Sequence, residues 1–463
     1  GVDVIMPDPS YLEGETLLGI VLTHAHEDHI GAIGHLWRRL RAPIYCTPFT
    51  AYLVKDKLRE AGLDGEVELN IVPMSGAFDI GPFHLRLVTL THSIPEPNGV
   101  VVETPLGVVM HTGDWKIDPE PLIGSPTDSE ALQEIGQRGV LAMICDSTNA
   151  LVEGTSGSEA DVRKELVKLV GELRGKVVVA CFASNVARLS SVIEAARAAG
   201  RQVCFVGRSM KRIVAASQSV GLLKDDSLFV SEEEAALLPD DYVLYLATGS
   251  QGESRAALAK IAHGAHPSVK LNAGDTVIFS SRVIPGNEIP IKDVQNHLVE
   301  RGVTVITDRD RPIHVSGHPC KDELRQMYQW VRPKVSIPVH GEARHLREHA
   351  ALAKELQIEQ TVVPRNGDMI RLAPGPAAII DETPNGRLHL DGNRLVMADD
   401  SALRERRKIA VVGHVTVTVA VNGKGVLVSG PALCVRGLPD LGDEDEGEAI
   451  EALEEAADDA FSA

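Results

Sequence analysis

Short apolar runs alternate with stretches of helical period along this chain. Residues 17–22 (LLGIVL) predict a buried strand that ends at Thr23-His24. A pattern of period 3.6 follows and predicts a helix over 29–41. Next come a strand at 43–46, a helix at 52–60, and strands at 67–73 and 83–90. Residues 100–103 and 107–111 predict a hairpin around Thr104-Pro105, and 141–145 one more apolar strand.

From about Ser158 the texture changes. Helices at 161–173, 186–199 and 211–220 alternate with strands at 176–181 and 202–206, and apolar strands recur at 241–247 and 276–280. Regular alternation of this kind predicts a parallel sheet between helices. Residues 158–313 are therefore read as an α/β domain inserted into another, whose two parts are 1–157 and 314–374. The returning part predicts strand-like runs and one good helix at 342–356. Residues 375–400, rich in Pro, Gly, Asn and Asp, predict a linker. Residues 409–421 and 425–428 predict a strand pair turning at Asn422-Gly423, and 444–459 an acidic helix or solvated tail. The whole of 375–463 is read as a linker and the start of a C-terminal domain. The opening, GVDVIMPDPSYLEG, reads as the inside of a domain, so its first strands are expected upstream of Gly1.

Composition narrows the class. Of 463 residues, 44% are hydrophobic and 24% charged, an ordinary globular balance that excludes wholesale disorder. No apolar stretch nears the ~18 to 20 residues of a membrane span, so no membrane partner is expected. Six cysteines, none in a CxxC pair, argue against a disulfide scaffold or a thiolate zinc knuckle and fit a reducing cytoplasm. The formal charge is −19, but the last 27 residues hold eleven acids and no Lys or Arg, so the rest carries −8. There is no broad basic coat. A polyanionic substrate would need local positive charge, which bound metal supplies.

The chemistry concentrates in Thr23-His24-Ala25-His26-Glu27-Asp28-His29. His24 and His26 would point about 200° apart on a helix, so this is a loop running from a strand into a helix. Such a loop folds His24 and His26 onto one ion and offers Asp28 and His29 to a second. Imidazoles and carboxylates suit Zn²⁺ or Mn²⁺. Further donors follow apolar strands: His92 in LTHS, Asp114 in HTGD and His340 in IPVHGE.

These strings resemble the metallo-β-lactamase superfamily, with its T-H-x-H-x-D-H signature and a distant His, Asp and His. The resemblance implies an αββα sandwich with a dinuclear site. His24, His26 and His92 would hold one ion, Asp28, His29 and His340 the other, with Asp114 between. The 194 positions from Asp146 to His340 leave room for an insertion that resembles the β-CASP domain of RNA and DNA nucleases. DSTN at 146–149 and HVSGH at 314–318 resemble two of their motifs. THSIP, FASN at 182–185, VGRSM, TGSQGE and IPGNE are similar to the ribonuclease J family in particular, and 404–431 resembles the start of its C-terminal domain.

Membership in that family implies an endo- and 5′→3′ exoribonuclease of RNA processing and decay, cytoplasmic and commonly dimeric or tetrameric. Two Zn²⁺ are expected, with Mn²⁺ or Mg²⁺ as substitutes. The partner expected is RNA, preferably 5′-monophosphorylated, and other RNA-decay proteins beside it. Two ions ~3.5 to 4 Å apart ready a hydroxide and neutralise phosphate oxygens. His318 is typed to protonate the leaving oxygen, so the product carries a 5′-phosphate. Asp114 and Asp146 complete the catalytic set, Asp146 either orienting a ligand His or capping Thr148 and Asn149. Ala183, Ser184 and Asn185 open a helix and, with His314, Val315, Ser316, Gly317 and His318, would hold the RNA backbone. Plain capping also accounts for Ser184 and Asn185, and a structural hydrogen bond for His314. The strand-end loops at 207–209 and 248–252 are weaker candidates, Asp391 a solvated acid. His263, His297 and His349 are among the histidines assigned no partner. The competing readings are a DNA-directed β-CASP nuclease and an idle RNA-binding scaffold.

Overall fold

The structure, a computed structural model, describes residues 4–224, 227–437 and 443–462. Its chain forms two compact units: Tyr11–Thr383, and Gly1–Ser10 with Pro384–Ala463.

In the larger unit a seven-stranded sheet runs in the order Gln360–Thr361, Pro333–Val339, Val140–Asp146, Gly107–His111, Asn98–Thr104, Phe83–Thr89, Ala77–Ile80. The hairpin at Thr104 pairs Thr104 with Gly107. Antiparallel pairing at 83–104 and 98–111, then parallel pairing onward, makes Phe83–Thr89, Gly107–His111, Val140–Asp146 and Pro333–Val339 run the same way. Their carboxyl ends therefore share one edge. A smaller parallel sheet of Ile20–Val21, Ile44–Cys46 and Leu69–Ile71 meets it across Val72, Leu85, Leu87 and Val100. The opposite face is covered by helices Ser129–Arg138, Lys321–Val331 and Ala343–Glu355, which bring Leu132, Leu324 and Leu352 into one core with Met110 and Met143 of the sheet. Gly136 lets two of these helices meet, since a Cβ there would lie 2.1 Å from the carbonyl of Trp330.

The inserted part is a five-stranded parallel sheet ordered Gln202–Val206, Val243–Ala247, Val177–Ala180, Thr276–Phe279, Thr304–Ile306. Val177–Ala180 is buried throughout, as expected for a strand with helices on both faces. One apolar core runs from Ile44, Phe49 and Val54 into Leu166, Val179, Leu189 and Val192, so the insertion and its host share an interior. Helix Glu159–Glu172 packs on Val186–Ala198 within it.

Several expectations are corrected. The predicted linker at 375–400 is not unstructured. It contains strands Ala378–Glu382, Arg387–Asp391 and Arg394–Met397, whose tight turns use the same Pro, Gly and Asn residues a linker would. Residues 314–374 carry a second helix, Lys321–Val331, whose Glu323 caps Cys320. Residues 409–412 end helix Ser401–Val412 rather than open a strand, and the hairpin proper is His414–Val421 with Leu427–Arg436. In the smaller unit Ile5–Pro7 pairs antiparallel with Arg387–Asp391. The acidic 444–459 lies in helix Asp443–Ser462; residues 438–442 of the tail lie outside the described residues. Among the described residues no helix is long and apolar enough to cross a membrane.

Candidate metal centre

Every predicted metal ligand of the chain sits just past the carboxyl end of a strand or in the turn that follows. His24 and His26 lie between strand Ile20–Val21 and helix Glu27–Ile30, whose first turn carries Asp28 and His29. His92 follows Phe83–Thr89, Asp114 follows Gly107–His111, Asp146 ends Val140–Asp146 and His340 follows Pro333–Val339. Gly113 takes φ +59°, and a Cβ there would press at 3.0 Å on Thr23 and 3.1 Å on the Asn98 carbonyl. Only glycine lets the Asp114 turn approach the His24 loop this closely. His340 itself is left-handed at φ +56°, an uncommon conformation for a side-chain-bearing residue and one that clusters at functional sites.

The side chains converge. His24, His26, His92 and Asp114 each offer one ligand atom within 4.8 Å of the others, and so do Asp28, His29, Asp114 and His340. Asp114 belongs to both sets. Its Oδ2 lies 3.2 Å from His29 Nε2, 3.7 Å from His24 Nε2 and 3.9 Å from His92 Nε2, while Oδ1 is 3.6 Å from His340 Nδ1. Asp28 Oδ2 is 3.5 Å from both His29 and His340.

Two observations test whether these residues fit metal. The buried Nε2 of His24 has no hydrogen-bond partner, while its Nδ1 meets Thr23 Oγ1 at 3.0 Å. A buried lone pair left empty is costly unless something binds it. Second, three imidazoles on one tetrahedral zinc hold their ring centres about 5 Å apart, given Zn–N bonds of about 2.0–2.1 Å. The observed separations are 5.0 Å for His24–His26, 5.1 Å for His24–His92 and 4.7 Å for His26–His92. The residues fit. The surface trio His263, Asp293 and His297 does not: its rings lie 4.1 Å apart and tilted 39°, a stacking distance.

Electrostatics agree with the geometry. Burial, then neighbouring imidazoles, drives His24 and His92 well below their ordinary pKa; burial holds His26 at about 4 despite Asp28 and Asp114. Neutral imidazole is the metal-binding form. At His340 burial is outweighed by Asp146, Asp28 and Asp114, which raise it to about 11. Carboxylates this crowded call for positive charge, from a proton or from a metal ion.

Beside this cage stands a second arrangement. Asp146 accepts from Thr148 N and Oγ1 at 2.9 and 2.7 Å, and its Oδ2 meets His318 Nδ1 at 2.7 Å. Burial pushes His318 down, but the Asp146 carboxylate prevails and raises it. Asp146 thus orients a histidine and also caps its own turn. Asn149 bonds Ser316 Oγ and the His318 carbonyl, and the Gly317 carbonyl takes His92 Nδ1, so the 146–149 and 314–318 segments are laced together at the cage. Gly317 is required there, since a Cβ would lie 2.6 Å from Ser93 Oγ.

The remaining predicted residues are not at the cage. Asn185 is buried and fully used: its Oδ1 caps Arg188 N at 2.9 Å and its Nδ2 meets Glu159 at 3.0 Å. Ala183 and Ser184 are half-buried at the same helix start. His314 is kept neutral, lowered to about 3 by burial and by Arg188, with Nδ1 unpartnered. Val315 packs on the shared core. Asp391 pairs with Arg406 at 2.7 Å on the surface. His349 was assigned no role from the sequence, yet it is fully buried between Ser147 Oγ (2.8 Å) and Tyr328 Oη (2.9 Å), behind the Asp146 turn. Its i, i+9 spacing from His340 carries no recognisable sequence signal.

Residues 4–169 match the metallo-beta-lactamase superfamily and 302–364 a Zn-dependent metallo-hydrolase RNA specificity domain. The fold and site thus define a metal-binding hydrolase of the metallo-β-lactamase class. Residues 174–298 match the ribonuclease J beta-CASP domain and 401–463 the ribonuclease J C-terminal domain. A ribonuclease J of Sinorhizobium meliloti is 47% identical over 97% of this chain and 80% of its own length. Those of Mycolicibacterium smegmatis and Synechocystis are 41% and 39% identical, covering 93% and 95% of this chain and 78% and 69% of theirs. The chain belongs to the ribonuclease J family. A crystal structure of a protein of unknown function from Enterococcus faecalis, 15% identical, shares the fold at a TM-score of 0.54 over 76% of this chain and 80% of that one.

Proposed function

We propose that this protein is a two-metal ribonuclease that hydrolyses RNA phosphodiester bonds as a 5′→3′ exonuclease and an endonuclease. The observation that carries the reading is Asp114, whose carboxylate lies against both ligand sets, Oδ2 beside His24, His92 and His29 and Oδ1 beside His340. His24, His26 and His92 would hold one Zn²⁺, Asp28, His29 and His340 the other, with Mn²⁺ or Mg²⁺ as substitutes. When bound, the ions supply an acidified water and neutralise phosphate charge.

The chain's own residues do the rest. Water attacks phosphorus and the bond to the 3′-oxygen breaks. His318, held by Asp146, donates a proton to that oxygen, leaving a 5′-phosphate on the product. Ala183–Asn185 and His314–His318 hold the RNA backbone and a 5′-monophosphate, Asn185 by setting the helix start rather than by direct contact. Neutral His314 and the hydroxyls of Ser184 and Ser316 offer uncharged contacts suited to any sequence. Division of the chain at 157, 313 and 374 follows from this reading, as do a cytoplasmic site of action, a homodimer or homotetramer, and other RNA-decay proteins as partners. The RNA-specificity match weighs against a DNA-directed nuclease, and the intact ligand sets against an idle scaffold.

The test is incubation of 5′-labelled RNA with monophosphate or triphosphate ends, and of matched DNA, with and without chelator. Mononucleotide release from monophosphorylated RNA, abolished by chelation, is expected. Preference for DNA, or activity that survives chelation, would overturn the proposal.

A further inference from the structure

Four separate stretches of the larger unit meet at one buried guanidinium. Arg188, 1% exposed on helix Val186–Ala198, donates from Nε and Nη2 to the two oxygens of Glu159 at 3.0 and 2.9 Å. Its Nη1 donates to the Ser280 carbonyl and hydroxyl, both at 2.7 Å, and to the Ile313 carbonyl at 3.1 Å. Ser280 Oγ donates in turn to that same Ile313 carbonyl at 2.7 Å. Glu159 also takes Asn185 Nδ2, and its own backbone N–H reaches Asp118, which holds Ser158 Oγ at 2.6 Å as well.

The placement of these contacts matters more than their number. Asn185 ends the 183–185 segment, and Ile313 directly precedes 314–318. Ser158 and Glu159 mark where the chain leaves the metallo-hydrolase sheet, Ile313 where it returns, and Asp118 lies in the loop between two strands of that sheet. Burial raises the Glu159 carboxyl, and the Arg188 guanidinium with Asn185 more than offsets it. The cluster is therefore a satisfied ion pair, and a guanidinium fork has fixed directions that a lysine lacks.

We propose that Arg188 is a positioning residue that fixes the two RNA-backbone segments, 183–185 and 314–318, at one spacing relative to the metal cage. It touches neither RNA nor metal. The inference rests on the reading of those segments as the RNA grip. It makes Arg188 a determinant of substrate class, needed more for a chain that spans both segments than for a small phosphodiester that reaches the cage alone.

The experiment compares RNA with bis(p-nitrophenyl) phosphate as substrates of the full-length holoenzyme. Removing one partner would strand a buried charge, so the pair is replaced together, Glu159→Gln with Arg188→Met. A displacement of about 1 Å can cost roughly 100-fold, so kcat/KM on RNA is expected to fall roughly 10- to 100-fold, largely through KM. Hydrolysis of the small ester, whose nitrophenolate leaves without a proton from His318, should fall by much less than RNA turnover does. Arg188→Lys, which keeps the charge without the fork, should recover only part of the loss. Ser280→Ala, which leaves the ion pair in place, gives the same reading if the double variant does not fold: RNA turnover reduced by more than small-ester turnover. Equal losses on both substrates, or none on RNA, would overturn the proposal. Failure of the underlying reading looks different: Ser184→Ala with Ser316→Ala would then leave the KM for RNA unchanged, whatever the Arg188 variants do.

Discussion

Two buried polar clusters of the larger unit solve one electrostatic problem in opposite ways. Around Arg188 the chain carries its own cation. Both Glu159 oxygens face it, and every group in the cluster has a partner. Around Asp114 three carboxylates form ion pairs only with imidazoles among the described residues. There His24 Nε2 is left without a partner. A cluster that contains its counter-charge is finished by folding. A cluster that lacks it is finished by something from solution. Placing the unfinished one at the joined ends of four strands, and the finished one where the chain crosses into the insertion, separates binding from bracing.

That contrast can be broken first at the cage. His26→Ala removes a proposed ligand, and its loss should exceed the roughly 10- to 100-fold typical of changes to the groups that orient ligands. Initial rates on labelled RNA, with metal content by elemental analysis, check both consequences together. Full activity with intact metal content would show that the cage is not what its geometry implies. Asp146→Asn should cost less, roughly 10- to 100-fold in kcat, with metal content held. It keeps the turn and removes the charge that orients His318.

A third test concerns a buried histidine that belongs to neither cluster. Burial lowers His349 to about 4, below the ~6.5 of an exposed imidazole. Its neutral form is the native one, so its contribution is complete above about pH 6.5 and is lost as pH falls toward 4. At pH 5 that is on the order of 2 kcal/mol. Urea unfolding at pH 7.5 and pH 5 should show a smaller acid loss in His349→Phe than in the parent, whatever the baseline cost of the substitution. Identical losses would mean that His349 is not buried uncharged. The smallest effect is expected at the surface trio. His263→Ala with His297→Ala should leave metal content unchanged and stability within about 0.5 kcal/mol. A lost equivalent of metal there would blur the distinction drawn by ring spacing.

How far the site could be read in advance depends on where its chemistry sits along the chain. His24, His26, Asp28 and His29 are legible because four metal-binding side chains fall within six positions. His92, Asp114 and His340 are legible because each follows an apolar strand, and strand ends are where this architecture exposes side chains. The stretch 375–400 reads as a linker because short strands with tight turns share their composition with a connector. Helix Lys321–Val331 is legible in its buried face, since Leu324, Met327, Tyr328 and Val331 keep the i, i+3, i+4, i+7 spacing, whereas the buried acid Glu323 is explained only by its partners Cys320 N, Ile117 N and Ser156.

Residue types and their order alone determined that imidazoles and carboxylates recur behind apolar strands, and that a helix–strand alternation interrupts the series. Both are local properties, set by periodicity and ligand chemistry. Only the tertiary structure decided that Asn185 caps a helix, that His349 is buried behind the Asp146 turn, and that Arg188 joins segments more than a hundred positions apart. Burial and pairing depend on what folds against a residue, and nothing in the neighbouring letters of ARLSSV distinguishes a guanidinium bound for solvent from one bound for the core.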